Sequence, residues 1–399
     1  MAATSTPPWL SRAAQNHSKF IITTVCPVLS KRENDRRIRS LTDPPFTSLL
    51  TRGQTLFRKV DAVTHYSTAI GRHSDNQGAN RYADIVPYDR TRVVVGDLTS
   101  SHLNVGAEGD KGLYLNGSWV RELYGGKLWI ATQAPLPHTA HVFLSAIMQP
   151  ISAPPASLNH PPIHTASRVR TVVQLTQNIE SGRRKAHTYF PSTPGESMQL
   201  YPNPTSDAPV LKVTLLESKQ IDKACCVQSK VSIIPVTSTD PRDAVVFTHL
   251  LFTAWPDHGV PEGENQASLL AFVRLVDHVN RDTSSQSPSE KNLDPDPPIM
   301  VNCSAGIGRT GTFIAISSLL RAYHLLNDAS PLNPLAPPPA PLSSLTSSPL
   351  GPLPKELQED LVVQEIDSLR EQRPRMVERD EQIHLVYEVL NQAFKVRGS

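Results

Sequence analysis

The sequence has few cysteines, which limits both its cross-links and its metal chemistry. The 399 residues include four cysteines, at positions 26, 225, 226 and 303, which do not make a disulfide framework in a chain of this length. No CxxC pair is present to hold zinc, so we expect neither a metal nor a cofactor. Such cysteine usage favours a reducing compartment, and we expect a cytoplasmic or nuclear protein. The first 32 residues lack Asp and Glu, as transit peptides do, but early prolines and few basic residues argue against that assignment.

The sequence also lacks an excess of charge of one sign and a long apolar run. Lys and Arg number 39 and Asp and Glu number 37, which leaves a net charge of +2. Nucleic acids and anionic membranes usually require clustered basic charge, so neither is an expected partner. A local basic cluster at residues 31–39 is interrupted by Glu33 and Asp35, and we interpret it as a solvated helix face. No run of 18 or more apolar residues is present to span a membrane.

Proline is abundant, at 36 residues, and most of the excess lies in segments that interrupt an otherwise periodic sequence. We interpret residues 149–166, 281–298 and 328–354 as disordered or loop insertions, because Pro and Ser cannot continue a helix or a strand there. The proline spacing of the last insertion allows an SH3-type ligand, although a passive linker is the favoured interpretation.

Apolar periodicity predicts strands interleaved with helices through the rest of the chain. Short β-branched runs at 169–176 and 299–302 are typical of buried strands, and 211–216 and 244–252 of longer antiparallel strands. Spacings of three and four predict helices through 269–279, 313–323, 362–369 and 383–394. This order predicts a single α/β or α+β domain over residues 41–396, preceded by a partly helical N-terminal extension at 1–40.

Residues 299–311 carry the strongest chemical signal. A short apolar strand leads into a loop with two glycines, and an amphipathic helix begins near Arg309. Such a loop lets successive backbone N–H groups face one centre and bind an anion at the helix N-terminus. The same groups would lower the pKa of Cys303 below the value of about 8.5 of a free thiol. Arg309 can grip two phosphate oxygens, and Thr310 offers a hydroxyl beside the sulfur.

Two other interpretations of this loop are weaker. An inert buried cysteine before an ordinary helix would require the cysteine, both glycines, the arginine and the hydroxyl to coincide by chance. A Walker-type nucleotide loop is excluded, because no Lys-Ser/Thr pair follows the last glycine.

The run C-S-A-G-I-G-R-T-G closely resembles the signature loop of the tyrosine-specific, cysteine-based protein tyrosine phosphatases of the soluble non-receptor type. Other blocks resemble the same family in the same order along most of the chain: NRYAD at 80–84, YLNGS at 114–118, IATQAPLP at 130–137, VVQLT at 172–176, WPDHGVP at 255–261 and LREQRPRMV at 369–377. The resemblance implies one α+β domain whose central, strongly twisted mixed sheet is flanked by helices. The signature loop would connect a central strand to a helix.

The resemblance also implies hydrolysis of phosphotyrosine in proteins through a cysteinyl-phosphate. Cys303 would be the nucleophile, Arg309 the phosphate clamp, and Asp257 the general acid and later the base. The substrate would bind in a deep slot, and the shorter side chain of phosphoserine would not reach the cysteine at its base. The slot would be lined by Tyr82, Asp84, Ser304, Ala305, Gly306, Ile307, Gly308, Arg309 and Gln382. Supporting residues would be Asn302, Thr310, Glu180, Lys185, Trp255 and Glu378.

Individual roles follow from the same resemblance. Tyr82 would stack on the substrate ring, with a core tyrosine as the alternative, and Asp84 would accept a hydrogen bond from the substrate backbone. Glu180 would orient Arg309. Lys185 would approach the acid loop, which is the segment at 255–261 that carries Asp257. A merely exposed lysine is the alternative.

The sequence departs from the family at three positions. Asn302 replaces a histidine, and we expect it to hydrogen-bond the loop backbone without charge, which gives a less depressed pKa of Cys303 and a slower enzyme. Glu378 replaces the first of two glutamines that place the attacking water. Its carboxylate would repel the phosphate unless it is protonated or paired, for instance with Arg375 or Arg379, although the second glutamine, Gln382, is present. Ala134 replaces a glycine and should affect only backbone packing.

Two alternative functions remain open at this stage. Asn302 and Glu378 are compatible with a catalytically weak pseudophosphatase that binds phosphotyrosine. A dual-specificity or lipid phosphatase is disfavoured, because such relatives with shallow pockets lack the segment at 80–84.

Overall fold

The computed structural model describes residues 6–15, 17–41, 65–96, 112–151, 154–155, 158, 167–284, 293–326, 339–345 and 347–398. The strands are β1 (Arg92–Val95), β2 (Leu113–Arg121), β3 (Leu128–Thr132), β4 (Thr171–Gln174), β5 (Ile179–Glu180), β6 (Arg183–Arg184), β7 (Ser197–Leu200), β8 (Leu211–Ile221), β9 (Cys226–Pro235), β10 (Val245–Phe252) and β11 (Ile299–Asn302). The α-helices are α1 (Pro8–Gln15), α2 (His17–Phe20), α3 (Cys26–Leu41), α4 (Ala69–Arg72), α5 (Ser74–Gln77), α6 (Ala140–Met148), α7 (Glu264–Arg281), α8 (Gly308–Ala322), α9 (Leu361–Gln372) and α10 (Asp380–Gly398). A π-helical segment, Ile21–Val25, joins α2 to α3.

Nine of these strands form one mixed sheet in the order β1-β2-β3-β11-β4-β10-β9-β8-β7, and β5 and β6 form a separate hairpin. β11 pairs in parallel with β3 and β4, and β10 pairs in parallel with β4. The remaining pairs are antiparallel. The predicted α+β domain with a central mixed sheet is therefore confirmed, and β11, which leads into the signature loop, lies at the centre of the sheet.

The central strands are apolar on both faces because each face is covered by a helix. Val301 of β11 packs in one core with Phe313 of α8, whereas Met300 packs in a second core with Phe143 of α6. All four residues of β11 and all four of β4 are buried. Burial on both faces explains the short, continuous apolar runs of these strands, in which no polar alternation is present.

The elements predicted from apolar periodicity are present. The predicted strands correspond to β4, β8, β10 and β11, and the predicted helices to α7, α8, α9 and α10. Helix α6 was not predicted, because its sequence AHVFLSAIM is buried almost all round and shows no polar face.

The interpretation of the basic cluster as a solvated face is wrong for Arg32 and Arg36. Both arginines of α3 are buried against α9. Arg32 Nε and Nη2 donate to the two carboxylate oxygens of Asp367 at 2.9 and 2.8 Å, and Arg36 Nε donates to Glu371 Oε1 at 2.8 Å. Burial of a guanidinium is tolerated when a carboxylate pairs with it, so this part of the N-terminal extension is fixed to the domain by ion pairs.

The three predicted insertions are described only in part. Within 149–166, Ile151 and Leu158 are buried in the second core, so these two residues do not behave as a surface loop. Within 328–354, Leu342 N–H donates to Leu123 O at 2.8 Å and anchors the described part of the segment to the domain. The prolines at 331, 334, 337 and 338, residues 285–292 and most of 152–166 lie outside the described residues. The domain boundaries and the SH3-type ligand therefore stay predictions.

A buried carboxyl group makes stability depend on pH. Glu365 in α9 accepts hydrogen bonds from Leu123 N–H and the Ser318 hydroxyl, and burial raises its pKa to about 8. Between pH 4.5 and 8 the folded state thus holds a proton that the unfolded chain has lost, so stability falls as the pH rises through this range. The free energy of unfolding of Glu365→Gln minus that of the wild type should be larger at pH 8.5 than at pH 5. We expect this increase to be at most about 5 kcal/mol. Urea unfolding at both pH values measures this difference, and an equal effect at the two would contradict it.

Candidate active site

The loop that follows β11 is shaped by close contacts that only glycine permits. Gly306 has a φ of +72°, and a Cβ built on it would lie 2.0 Å from the carbonyl oxygen of Thr132 in β3. At Gly311, in the first turn of α8, a Cβ would lie 2.4 Å from the backbone nitrogen of Val377. The loop is thus pressed against its neighbours on two sides, and no side chain fits at either position.

Cys303 lies at the base of this loop, at the end of β11 and before the start of α8. It is buried, with 6% of its surface exposed, among residues of the core that contains α8. Thr310, in the first turn of α8, is fully buried, and its hydroxyl has no hydrogen-bond partner among the described residues. All four cysteines of the chain are free thiols.

Asn302 does not make the hydrogen bond to the loop backbone that we expected. Both polar atoms of its side chain are buried and have no partner among the described residues. Successive side chains of a strand point to opposite faces, so Asn302 shares the face of Met300, whereas Cys303 shares the face of Val301. The amide therefore points away from the side of the sheet that carries the thiol.

Arg373, which follows α9, holds the loop from behind. Its Nε donates to Gly306 O at 2.7 Å and its Nη2 to Ala305 O at 3.0 Å, while its other contacts are Asn116 Oδ1 and Ser118 Oγ. Because a peptide N–H points opposite to the carbonyl of the same peptide unit, these contacts turn the N–H groups of the loop away from Arg373. Burial lowers the pKa of this guanidinium to about 10. Sequence reasoning missed this role, although Arg373 lies in one of the resembling blocks.

Arg309 is oriented by Glu180, the last residue of β5. Its Nη1 and Nη2 donate to the two carboxylate oxygens of Glu180 at 2.7 and 2.9 Å. Glu180 is itself fixed, because it accepts hydrogen bonds from the Thr176 hydroxyl at 2.8 Å and from Gln177 N–H at 3.0 Å. Such a bidentate pair fixes the plane of the guanidinium as well as the position of its charge.

The acid loop at 255–261 lies beside this arginine. Arg309 Nη2 donates to Pro256 O at 2.9 Å, and the Trp255 ring lies 6.0 Å from Arg309 Cζ. Trp255 is buried and packs edge-on against Phe252. Arg309, the predicted phosphate clamp, and the predicted acid loop are therefore in direct contact.

Asp257 is paired with Lys185 across the mouth of the site. Lys185 Nζ lies 2.7 Å from Asp257 Oδ1, and this interaction lowers the pKa of Asp257 below its ordinary value. Only 9% of the Asp257 side chain is exposed, and the hydrogen bond with Lys185 is the main cause of the lowered pKa of Asp257. The pair stabilises the ionised carboxylate, which is the form required of a base.

Removal of this ammonium should change the pH dependence of an acid-catalysed step. Without Lys185 the pKa of Asp257 rises, so the carboxyl group keeps its proton to higher pH. We expect the basic limb of the kcat/KM profile for a phosphotyrosyl peptide to move to higher pH in Lys185→Met. Arg184→Met removes a neighbouring positive charge and is the matched control, with the limb expected in place. An unmoved limb in Lys185→Met would contradict this assignment.

Tyr82 and Ser304 form the rim of the site. Tyr82 is 38% exposed and so is not a core tyrosine, and its hydroxyl lies 2.8 Å from Ser304 Oγ. Ser304 Oγ donates in turn to Lys185 O at 2.7 Å. These contacts bring the segment at 80–84, the loop and the β5–β6 hairpin together on one side of Cys303.

Three more predicted residues, Gln382, Asp84 and Glu378, also have contacts around the site. Gln382 contacts the loop, since a Cβ on Gly308 would lie 2.9 Å from its side-chain amide. Asp84 Oδ2 accepts a hydrogen bond from Arg375 Nη1 at 2.7 Å, and Arg375 Nη2 also contacts Glu378 Oε1. Glu378 is thus paired with Arg375, one of the two arginines considered from the sequence.

Comparison with known proteins identifies the family. The family model described as protein-tyrosine phosphatase matches residues 76–154 and 163–333, more than half of the chain. The chain belongs to the protein-tyrosine phosphatase family. The matched residues of this phosphatase family member include Tyr82, Glu180, Asp257, Cys303 and Arg309, whereas Glu378 and Gln382 lie beyond them.

Individual relatives are about 30% identical to this family member over the residues that align. Human tyrosine-protein phosphatase non-receptor type 14 is 30% identical over 242 residues, which are 60% of this chain and 17% of that protein. Human receptor-type tyrosine-protein phosphatase eta is 30% identical over 64% of this chain and 15% of its own length. A Lar-like tyrosine-protein phosphatase of Caenorhabditis elegans is 30% identical over 67% of this chain and 10% of its own length. The chain therefore spans less than a fifth of these relatives.

Two features are absent from the described residues. They contain no group of three or more His, Cys, Asp and Glu side chains arranged to hold a metal ion. None of their helices is long and apolar enough to cross a membrane.

Proposed function

We propose that this protein hydrolyses phosphotyrosine in proteins through a cysteinyl-phosphate. The observation that carries the proposal is the convergence of three groups on one loop: the buried Cys303, the Glu180-oriented Arg309, and Asp257 on a segment that Arg309 contacts. Each group supplies one requirement of phosphate-ester hydrolysis: a nucleophile, a clamp for the phosphate oxygens, and an acid for the leaving oxygen.

In the first step Cys303 attacks phosphorus and the bond from phosphorus to the tyrosine oxygen breaks. The loop N–H groups and Arg309 stabilise the charge on the phosphate oxygens. Asp257 gives its proton to the tyrosine oxygen. Lys185 opposes protonation of Asp257, but a bound phosphate dianion adds negative charge nearby and favours the protonated form.

In the second step water attacks phosphorus and the bond from phosphorus to sulfur breaks. Asp257, now ionised and stabilised by Lys185, accepts the proton of the water. Cys303 leaves as the thiolate that began the cycle. Gln382, which contacts the loop at Gly308, would hold the attacking water.

Selectivity for phosphotyrosine would come from the rim. Tyr82 stands above Ser304 with its ring exposed, where it can stack on an aromatic substrate side chain. Asp84 is 73% exposed at its side chain and retains an oxygen for a substrate backbone N–H. The shorter phosphoserine side chain would then fail to bring its phosphorus to Cys303.

A pseudophosphatase that binds phosphotyrosine is the second candidate. The unpartnered amide of Asn302 and the carboxylate of Glu378 favour it. Asn302 would slow turnover by leaving the strand next to the cysteine without a polar contact. Glu378 would slow it by repelling the phosphate whenever its ion pair with Arg375 is open. The cytoplasmic or nuclear location and the identity of the phosphotyrosine-containing partners stay predictions.

Release of inorganic phosphate separates these functions. The proposal expects steady release from a phosphotyrosyl peptide and much slower release from the same peptide with phosphoserine, and from a phosphoinositide. Binding of the phosphotyrosyl peptide without release would support the pseudophosphatase. Comparable rates on all three substrates would support a dual-specificity or lipid phosphatase instead.

Asn302 should limit the rate. Replacement by histidine adds a group that can carry positive charge at the residue that precedes Cys303, and positive charge nearby favours a thiolate. We expect the acid limb of the pH–rate profile to lie at higher pH in the wild type than in Asn302→His, and kcat near pH 6 to rise by about threefold to tenfold. An acid limb no higher in the wild type than in the variant would contradict this role.

A further inference from the structure

Arg375 adopts a backbone conformation that is unusual for its residue type. Its φ is +62°, in the left-handed region that favours glycine, and Val377 follows with a φ of +54°. A non-glycine residue holds such a conformation only when surrounding contacts impose it. Here Arg375 N–H donates to Glu33 Oε1 in α3 at 2.9 Å. A carboxylate of the N-terminal extension therefore holds this turn in place.

The same turn is fixed between α3 and the signature loop. Val377 N–H donates to Ile307 O at 3.3 Å, which joins the turn to the loop. On the other side, Arg370 Nη2 donates to Val377 O at 2.6 Å and its Nη1 to Leu29 O of α3 at 3.0 Å. The position of the residue after Val377, Glu378, is therefore set by contacts with both α3 and the loop.

The side chain of Arg375 joins two carboxylates that serve different steps. One guanidinium nitrogen binds Asp84, which the proposed function assigns to binding of the substrate backbone. The other contacts Glu378, the residue after Val377, whose turn packs against the signature loop. About a third of each side chain of Arg375 and Glu378 is exposed, so their interaction is only partly screened by water.

We propose that Arg375 is a positioning residue for the hydrolysis of the cysteinyl-phosphate, and that Glu33 holds Arg375 for this task. The inference rests on the proposed function. In that step water adds to phosphorus, the phosphorus–sulfur bond breaks with its electron pair on Cys303, and the proton of the water passes to Asp257. Arg375 neutralises Glu378 and draws its carboxylate away from the phosphate, so the water can approach.

The two contacts of the Arg375 guanidinium, or arms, with Glu378 and with Asp84, predict different effects when they are lost. Loss of the arm on Glu378 frees a negative charge near the phosphoenzyme and slows its hydrolysis. Loss of the arm on Asp84 loosens a contact that only a peptide substrate uses. Arg375→Ala should therefore slow decay of the phosphoenzyme about tenfold and raise KM for a phosphotyrosyl peptide, with KM for phenyl phosphate unchanged.

A double-mutant cycle with Glu378→Gln tests the first arm. The phosphoenzyme is formed by rapid mixing with a labelled phosphotyrosyl peptide, unlabelled peptide is added in excess, and loss of label from the protein is followed by quenching. In the Glu378→Gln background no charge needs neutralising, so Arg375→Ala should slow decay less than twofold, against about tenfold in the wild-type background. Equal slowing in both backgrounds, or no slowing in either, overturns the proposal.

Glu33 is tested by a conservative pair. Glu33→Ala removes the acceptor for Arg375 N–H and should slow decay of the phosphoenzyme, whereas Glu33→Gln keeps an acceptor oxygen and should restore it. Asn34→Ala, at the exposed neighbouring position, is the matched control and should leave decay unchanged. Thermal unfolding of each variant reports its folding, and slowing in Glu33→Gln as large as in Glu33→Ala overturns this part.

The outcomes also distinguish this inference from the proposed function. If no labelled protein forms with the wild type, the cysteinyl-phosphate itself is wrong. If labelled protein forms and decays at the same rate in the wild type, Arg375→Ala and Glu33→Ala, the proposed function stands and the positioning role is wrong.

Discussion

Replacement of Cys303 by serine is expected to lower phosphate release from a phosphotyrosyl peptide by about 10⁴-fold or more. A serine hydroxyl keeps its proton at neutral pH, and the site contains no base aimed at residue 303 that would remove it, as far as the described residues show. The loop N–H groups can stabilise a thiolate, but they cannot lower the pKa of an alcohol enough to ionise it. The measurement is steady-state release of phosphate at saturating peptide.

The control for this variant is binding. Serine is close to cysteine in size, and the loop is held by Arg373 and by the glycine contacts, so the phosphate site should survive the change. We expect the dissociation constant of the phosphotyrosyl peptide to stay within about threefold of the wild-type value. Turnover above one per cent of the wild type would exclude Cys303 as the nucleophile.

Arg309→Lys is expected to lower kcat/KM by about 10³-fold although the charge is kept. The guanidinium binds both oxygens of Glu180 and the Pro256 carbonyl at once, and it is planar. A lysine ammonium carries its three N–H donors on one nitrogen, so it cannot bind both oxygens of Glu180 in a plane or present a planar pair of donors to phosphate oxygens. The loss should appear in kcat as well as in KM, because the clamp acts on the transition state.

Glu180→Gln provides a graded comparison for the arginine. It keeps an acceptor for Arg309 and removes the charge, so Arg309 is oriented less firmly but stays in place. We expect a loss of about tenfold in kcat/KM, well below that of Arg309→Lys. If both variants lose the same activity, Arg309 acts only through Glu180 and does not bind phosphate itself.

The signature loop was predictable because the residues that carry its chemical signal are contiguous in the sequence. Cys303, Arg309 and the two glycines lie within one short run, and the turn that brings them together is local. The acid loop and the segment at 80–84 were found only as further blocks of a resemblance, because nothing in their spacing shows that they meet the loop. Their meeting depends on the order of strands in the sheet.

The features missed from the sequence depend on distant partners. Arg32 and Arg36 looked solvated because the carboxylates that bury them lie 335 residues further along the chain. Asn302 was expected to support the loop, but strand alternation turns its amide to the opposite face. The bracing of the loop by Arg373 and the left-handed turn at Arg375 likewise arise from contacts between separate elements.

Because β11 lies between the two parts of the sheet, the loop that follows it depends on formation of the whole sheet. β1 to β3 form one part of the sheet and β4 with β10, β9, β8 and β7 the other, and β11 pairs with an edge of each. During synthesis both parts are made before the strand that joins them, so neither can be completed until residue 302 has been added. Cys303 follows that strand directly. A nascent or truncated chain that has not closed its sheet therefore has no assembled signature loop.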